Sequence, residues 1–251
     1  MTTWILGDVH GCSEELAELL RRLALAQDDQ VVCCGDLFHR GPDAAGVMDL
    51  LRDVGARFVL GNHERALLRR IGVAPLALDG SDRGPRELGL PPLDAEDLDG
   101  DGRTPCVVPA GRRAELVRYL QSSHSGYLLR RRHVPGAGPT PDGREWLVVH
   151  AGFDPSRRPE QCSVECLTTI RRLEGRGRPW WYERWEGPEL VLFGHTHSAA
   201  PRVHSQGGRV VALGLDTGCV YGGALSAYSP ELDELVQVQS TGSSVITRSV
   251  A

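Results

Sequence analysis

The sequence predicts an α/β protein, on three observations. Short apolar runs alternate with helical patterns through the first seventy residues. Three of these runs end in Gly followed by a polar residue of the ligand type, at Gly7-Asp8, Gly35-Asp36 and Gly61-Asn62-His63. The composition, 41% hydrophobic and 24% charged, is that of a globular protein able to bury a full core. Strands alternating with helices argue for parallel pairing with helices on the sheet faces. In open α/β sheets the ligand crevice lies beyond the carboxyl ends of the strands, so the chemistry belongs at those turns.

Taken in order, Trp4-Ile5-Leu6 is the first strand. A helix is expected from Glu14 to Ala26, because Leu16, Leu19, Leu20 and Leu23 recur at helical spacing and Ser13 stands ready to cap it. Val31 to Cys34 is the second strand, and a helix with Pro in its first turn is expected from Pro42 to Val54. Phe58-Val59-Leu60 is the third strand. Periodicity then collapses from Gly72 to Gly111, a stretch of Asp, Gly and Pro that reads as an irregular insertion or cap governing substrate choice. Within it Asp97, Asp99 and Asp101 resemble the start of a calcium loop, but the twelfth position holds Val108, so an acidic loop is expected. A helix over Arg112 to Gln121 leads to strands at Tyr127-Leu129 and Trp146-Val149, the latter ending at His150-Ala151-Gly152. A helical stretch at Ser163 to Leu173 precedes the strand Leu190-Phe193, which ends at Gly194-His195-Thr196-His197. Val203 through Val238 alternates strands with Gly-rich turns and reads as an antiparallel second sheet.

The 251 residues are expected to form a single domain over 1–251, with 72–111 as the excursion within it. Net charge is −5, which argues against nucleic acid as the partner, although Arg130-Arg131-Arg132 is a local basic run. Every basic residue is arginine. The absence of lysine excludes a P-loop lysine, a Schiff base and a pyridoxal anchor. No apolar run approaches eighteen residues, so no membrane association is expected. The odd count of seven cysteines, with Cys33 and Cys34 adjacent in one strand, suits reduced thiols in a cytoplasm. None of these features sets the oligomeric state.

Five strand ends deliver Asp8, His10, Asp36, Asn62, His63, His150, His195 and His197, each beside a Gly that permits a sharp turn. Any one of them alone reads as a loop residue. Together, carboxylate, amide and imidazole are the donors that a pair of borderline divalent metals wants, with one carboxylate between them.

Gly7-Asp8-Val9-His10-Gly11, Gly35-Asp36-Leu37-Phe38-His39-Arg40-Gly41, Gly61-Asn62-His63-Glu64, His150-Ala151-Gly152 and Gly194-His195-Thr196-His197 resemble the ordered signature of the calcineurin-like metallophosphoesterases. Within these the chain is most similar to the phosphoprotein phosphatase branch, which holds bacterial protein phosphatases and symmetrical diadenosine tetraphosphatases. Leu215-Asp216-Thr217-Gly218-Cys219 resembles the closing segment of bacterial members. The resemblance implies a four-layer α-β-β-α sandwich and two divalent ions, Mn2+ first, with Fe, Zn, Co or Ni as other occupants. It implies Asp8, His10 and Asp36 on one metal, with His197 added, and Asp36, Asn62, His150 and His195 on the other. A metal-bridging water would be the nucleophile, His63 the general acid and Arg40 the phosphate clamp, with Arg171 as a second clamp.

One position departs from the pattern. His39 stands where the family carries the Asp that orients the catalytic histidine, and an imidazole favours an imidazolium on His63 less than a carboxylate does. The resemblance leaves two substrates open. The first reading is a serine/threonine protein phosphatase acting on phosphorylated protein, and the alternative is a diadenosine tetraphosphate hydrolase acting on a nucleotide. A non-catalytic phosphate sensor is a remote third, disfavoured by the complete ligand set. An adenine pocket would need aromatic faces, and Trp180, Trp181, Tyr182 and Trp185 are the cluster to inspect, against a packed helix end.

Overall fold

The apolar runs pair as strands because each is buried on both faces, and successive side chains point to opposite sides. In the computed structural model, which describes residues 1–72 and 106–242, the strands are β1 (Thr3–Leu6), β2 (Gln30–Cys33), β3 (Arg57–Phe58), β4 (Leu128–Arg130), β5 (Trp146–Val149), β6 (Leu190–Phe193), β7 (Arg202–Gln206), β8 (Arg209–Gly214), β9 (Ala224–Ser229) and β10 (Glu234–Gln239). The helices are α1 (Ser13–Leu23), α2 (Ala44–Asp53), α3 (Asn62–Arg70), α4 (Arg113–Ser123) and α5 (Val164–Thr169). Most of the 72–111 excursion, with Asp97, Asp99 and Asp101, lies outside the described residues.

Two five-stranded sheets form, in the orders β10-β9-β1-β2-β3 and β4-β5-β6-β8-β7. β1, β2 and β3 run parallel, as do β5, β6 and β8. Alternation then makes the layers. Ile5 and Val32 from one sheet meet Trp146, Val148, Leu190 and Leu192 of the other in a core between the sheets. Trp4, Leu6, Val31 and Cys33 face the opposite way, in the cluster that contains Leu16 and Leu19 of α1 and Val47 and Leu51 of α2. On the far side Val149, Val191 and Phe193 meet Phe153, Leu167, Trp181 and Trp185. This is the expected sandwich, and it puts the ends of β1, β2, β5 and β6 along one rim.

The segment from Val203 to Val238 is not a sheet of its own. β7 and β8 extend one sheet, β9 and β10 the other, and the chain crosses between them through the turn at 215–223. Backbone pairing decided this: β8 finds the open edge of β6, and β9 finds that of β1.

Helix ends shift for local reasons. Cys12, not Ser13, is the N-cap residue of α1. Ser13 Oγ instead donates to Asp43 Oδ2 at 2.7 Å, while Asp43 Oδ1 accepts from Gly46 N at 2.8 Å and caps α2. Pro42 therefore precedes α2 instead of sitting in its first turn. α1 stops at Leu23 because Ala24 is left-handed (φ 46°). Arg130 and Arg131 do not form a basic patch, since Glu160, Glu189 and Glu145 pair with them.

Candidate active site

The turns after the strands hold strained backbone. Of the seven non-glycine residues with positive φ among the described ones, four are His10 (50°), Asp36 (51°), Arg40 (81°) and His195 (64°). Such a conformation costs on the order of 1–3 kcal/mol for a residue with a Cβ, and it persists where surrounding bonds over-determine it. Those bonds are present. His10 N donates to Asp36 O at 2.9 Å, and Gly11 N to Leu37 O at 2.7 Å, which locks the first turn to the second. Glu64, fully buried, accepts from Asp36 N (2.9 Å), Leu37 N (2.8 Å) and Gly61 N (3.0 Å), locking the second turn to the third. His195 N donates to both Asp8 carboxylate oxygens, at 3.2 and 3.1 Å, across the two sheets. A Cβ at Gly61 would collide with Asp36 Oδ1, and one at Gly194 with Asp8 Oδ1, so glycine lets the backbone approach those carboxylates.

Two groups of donors result. Asp8, His10 and Asp36 offer ligand atoms all within 4.8 Å of one another, and so do Asp36, His150 and His195; Asp36 belongs to both. Asn62 joins the second group through its Oδ1, 3.1 Å from His150 Nε2. The second group fits a cation on direct inspection. His150 Nδ1 lies 2.9 Å from the carbonyl oxygen of Cys34, an acceptor, so the ring proton sits there. Nε2 then faces Asn62 Oδ1 and, at 3.4 Å, Asp36 Oδ2, so three lone pairs converge. A divalent cation satisfies that convergence. Burial lowers the His150 pKa, but the Asp36 carboxylate overrides this and raises it. In the first group His10 Nδ1 has no hydrogen-bond partner, and Nε2 accepts from Arg40 at 2.6 Å.

The charges explain the rest of the electrostatics. Burial, then Asp216 and Asp36, push the Asp8 carboxyl well above its usual range. Burial also opposes ionisation of Asp36, yet His150, His63 and His10 hold it well below the usual range. Burial, then His150, depress His195 to about 3, leaving a neutral imidazole. Three carboxylates, Asp8, Asp36 and Asp216, crowd one buried spot.

His63 is 1% exposed, with Nε2 3.9 Å from Asp36 Oδ2 and its ring 5.5 Å from that of His10 and 5.0 Å from that of His39. Arg40, Arg171 and Arg202 line a cavity of about 350 Å³ beside His195, with Trp180, Thr196, His197 and Tyr221. His197 is the expected ligand that is not gathered. It is exposed, outside both donor groups, with its ring 5.0 Å from that of Tyr221 on the cavity wall. The residue before it, Thr196, turns the chain away: its N donates to Gly194 O at 2.7 Å.

The aromatic cluster divides. Trp181, Tyr182 and Trp185 are buried against Phe153 and Phe193, whereas Trp180 reaches the cavity with the guanidinium groups of Arg172 and Arg202 at 3.8 and 4.5 Å from its ring. Sequence reasoning assigned no role to Glu64 or Asp216. Glu64 stands inside the third motif, and its spacing of three from Gly61 is a capping signal; Asp216 stands inside the closing segment Leu215-Cys219, which marks the turn but not the role of the carboxyl. His124, outside the motifs, accepts from Gly126 N at 3.0 Å in full burial.

A model of the family "Calcineurin-like phosphoesterase" matches residues 1–199. The chain is 32% identical to the symmetrical bis(5'-nucleosyl)-tetraphosphatase of Chromohalobacter salexigens, covering 90% of this chain and 94% of that protein. It is 28% identical to the protein of the same name from Janthinobacterium sp., over 95% and 96% of the two chains. A solved structure described as a candidate diadenosine tetraphosphatase superposes with a TM-score of 0.68 at 28% identity, over 95% of this chain and 93% of the other.

Proposed function

Because this chain belongs to the calcineurin-like phosphoesterase family, and is a metal-dependent phosphoric ester hydrolase on that ground, we propose that it hydrolyses a dinucleoside polyphosphate, diadenosine tetraphosphate, symmetrically. Of the two substrates left open by the motifs, the relatives' names favour the dinucleotide over a phosphoprotein. The observation that carries the reading is the cavity beside His195. Three guanidinium groups line it and no carboxylate does, among the described residues. A phosphomonoester calls for one or two such clamps, whereas a tetraphosphate linker carries charge well beyond the reacting phosphorus.

Asp8, His10 and Asp36 would hold one divalent ion, and Asp36, Asn62, His150 and His195 the other; this mixture of oxygen and imidazole suits Mn2+. Two such ions supply Lewis acidity at the phosphoryl oxygens and lower the pKa of water. The protein's own groups do the rest. Arg40, anchored at His10, orients the reacting phosphate, and Arg171, whose Nη2 donates to His195 O at 3.3 Å, holds the next one. His63, itself buried, holds the proton for the leaving phosphate oxygen. His39, against its ring, keeps it in place. No helix among the described residues is long and apolar enough to cross a membrane, and seven unpaired thiols support a reducing, cytoplasmic setting.

Product analysis tests the reading. With Mn2+ present, diadenosine tetraphosphate should give two ADP, at a kcat/KM well above that for a phosphoserine peptide. A phosphopeptide cleaved faster than the dinucleotide would overturn it, and ATP with AMP would overturn the symmetry.

A further inference from the structure

We propose that Cys12, Glu15 and Cys219 form a second, separate site for a thiophilic divalent cation of the zinc class. Cys12 occupies the N-cap position of α1 and Glu15 follows three residues on, so both face the same side of the helix end. Cys219 opens a short helical turn at Cys219–Tyr221, held between the left-handed glycines Gly218 (φ 71°) and Gly222 (φ 88°). The two sulfurs and a carboxylate oxygen lie within 4.8 Å of one another. All three side chains are buried, at 0, 0 and 2% exposure. In a tetrahedral zinc site, bonds of about 2.0–2.3 Å put neighbouring donors roughly 3.5–4 Å apart, a contraction that small rotations reach.

Glu15 is already oriented as a ligating carboxylate is. Thr241 donates to its Oε1 from N at 2.9 Å and from Oγ1 at 3.0 Å, the outer bonds that fix a ligand's aim. Among the described residues no other group of three such donors contains a thiol. The catalytic groups offer only nitrogen and oxygen, so the two sites select different ions. Binding would release the two thiol protons to solvent and join the first motif turn, two residues after His10, to the last, three residues after Asp216. The role is a cross-link between two loops rather than chemistry.

Cobalt reports on this directly, because only thiolate ligands give a near-ultraviolet charge-transfer band. Metal-stripped, reduced, full-length protein titrated with Co2+ should develop that band, and its final amplitude should correspond to one thiolate-bound Co2+ per chain once the nitrogen and oxygen sites are also filled. Cys219→Ser should lose it, with one bound Co2+ fewer per chain by equilibrium dialysis. Cys166→Ser and Asp36→Asn should keep it. Should Cys219→Ser fail to fold, Glu15→Gln retains both thiols, and its band should form with at least about tenfold weaker affinity. Absence of the band in the native protein, its survival in Cys219→Ser, or unchanged affinity in Glu15→Gln would overturn the site.

Discussion

The rings of His39 and His63 lie 5.0 Å apart, tilted by 34°, with both side chains buried. An imidazole therefore stands beside the proposed general acid where the family places a carboxylate. Substrates with poor leaving groups need proton transfer most. His39→Asp should accelerate alkyl phosphate hydrolysis, by at most the roughly 10²–10⁴-fold that general acid catalysis supplies, and barely change an aryl phosphate. Equal slowing of both would make His39 a packing residue.

Asp36 is the member common to both donor groups. Asp36→Asn keeps its size and the acceptor for His63 N, which now bonds Oδ1 at 3.1 Å. Bound Mn2+ should fall below two per chain and turnover by at least about 10³-fold, with the circular dichroism spectrum unchanged. Two ions retained at native affinity would sink the bridging role.

Burial and Asp36 raise Asp216 to about 6, against a backbone bond from Gly218 that lowers it. A carboxyl with a raised folded pKa keeps its proton when folded after the unfolded chain has lost it, so stability falls as pH rises from about 4 to about 6. Asp216→Asn cannot titrate. In chelator, urea unfolding should show the variant gaining on the native protein by about 2 kcal/mol between pH 4 and pH 8. A difference constant with pH would refute this, and divalent cations should shrink it.

Arg202 is held at the cavity wall by Thr196 O (3.1 Å), His197 O (3.2 Å) and the Trp180 ring. Arg202→Gln should raise KM for diadenosine tetraphosphate about tenfold, the loss of one charge-assisted contact, with aryl phosphate unaffected. Parallel losses on both substrates would assign Arg202 to holding the loop alone.

Glu64→Ala would strand three buried N–H groups, of Asp36, Leu37 and Gly61. Each unsatisfied donor costs about 1–3 kcal/mol, so the midpoint of chemical denaturation should drop by several kcal/mol equivalent. A drop under about 1 kcal/mol would show that water replaces the carboxylate.

By itself the sequence determined the order of strands and helices, the five turns and seven of the eight ligand-type residues that meet at the rim. Those signals are local: an apolar run, a Gly, then a donor, all within a few residues. Tertiary structure alone decided that β7 and β8 part from β9 and β10, that His197 turns onto Tyr221, and that Trp180 reaches the cavity while Trp181 is buried. It also brought Glu64 and Asp216 into the site. Each of these depends on partners distant in the chain, as His195 N depends on Asp8, 187 residues away. A strand's edge, a buried charge and a convergence of lone pairs have no local pattern; they exist only once both sheets have closed.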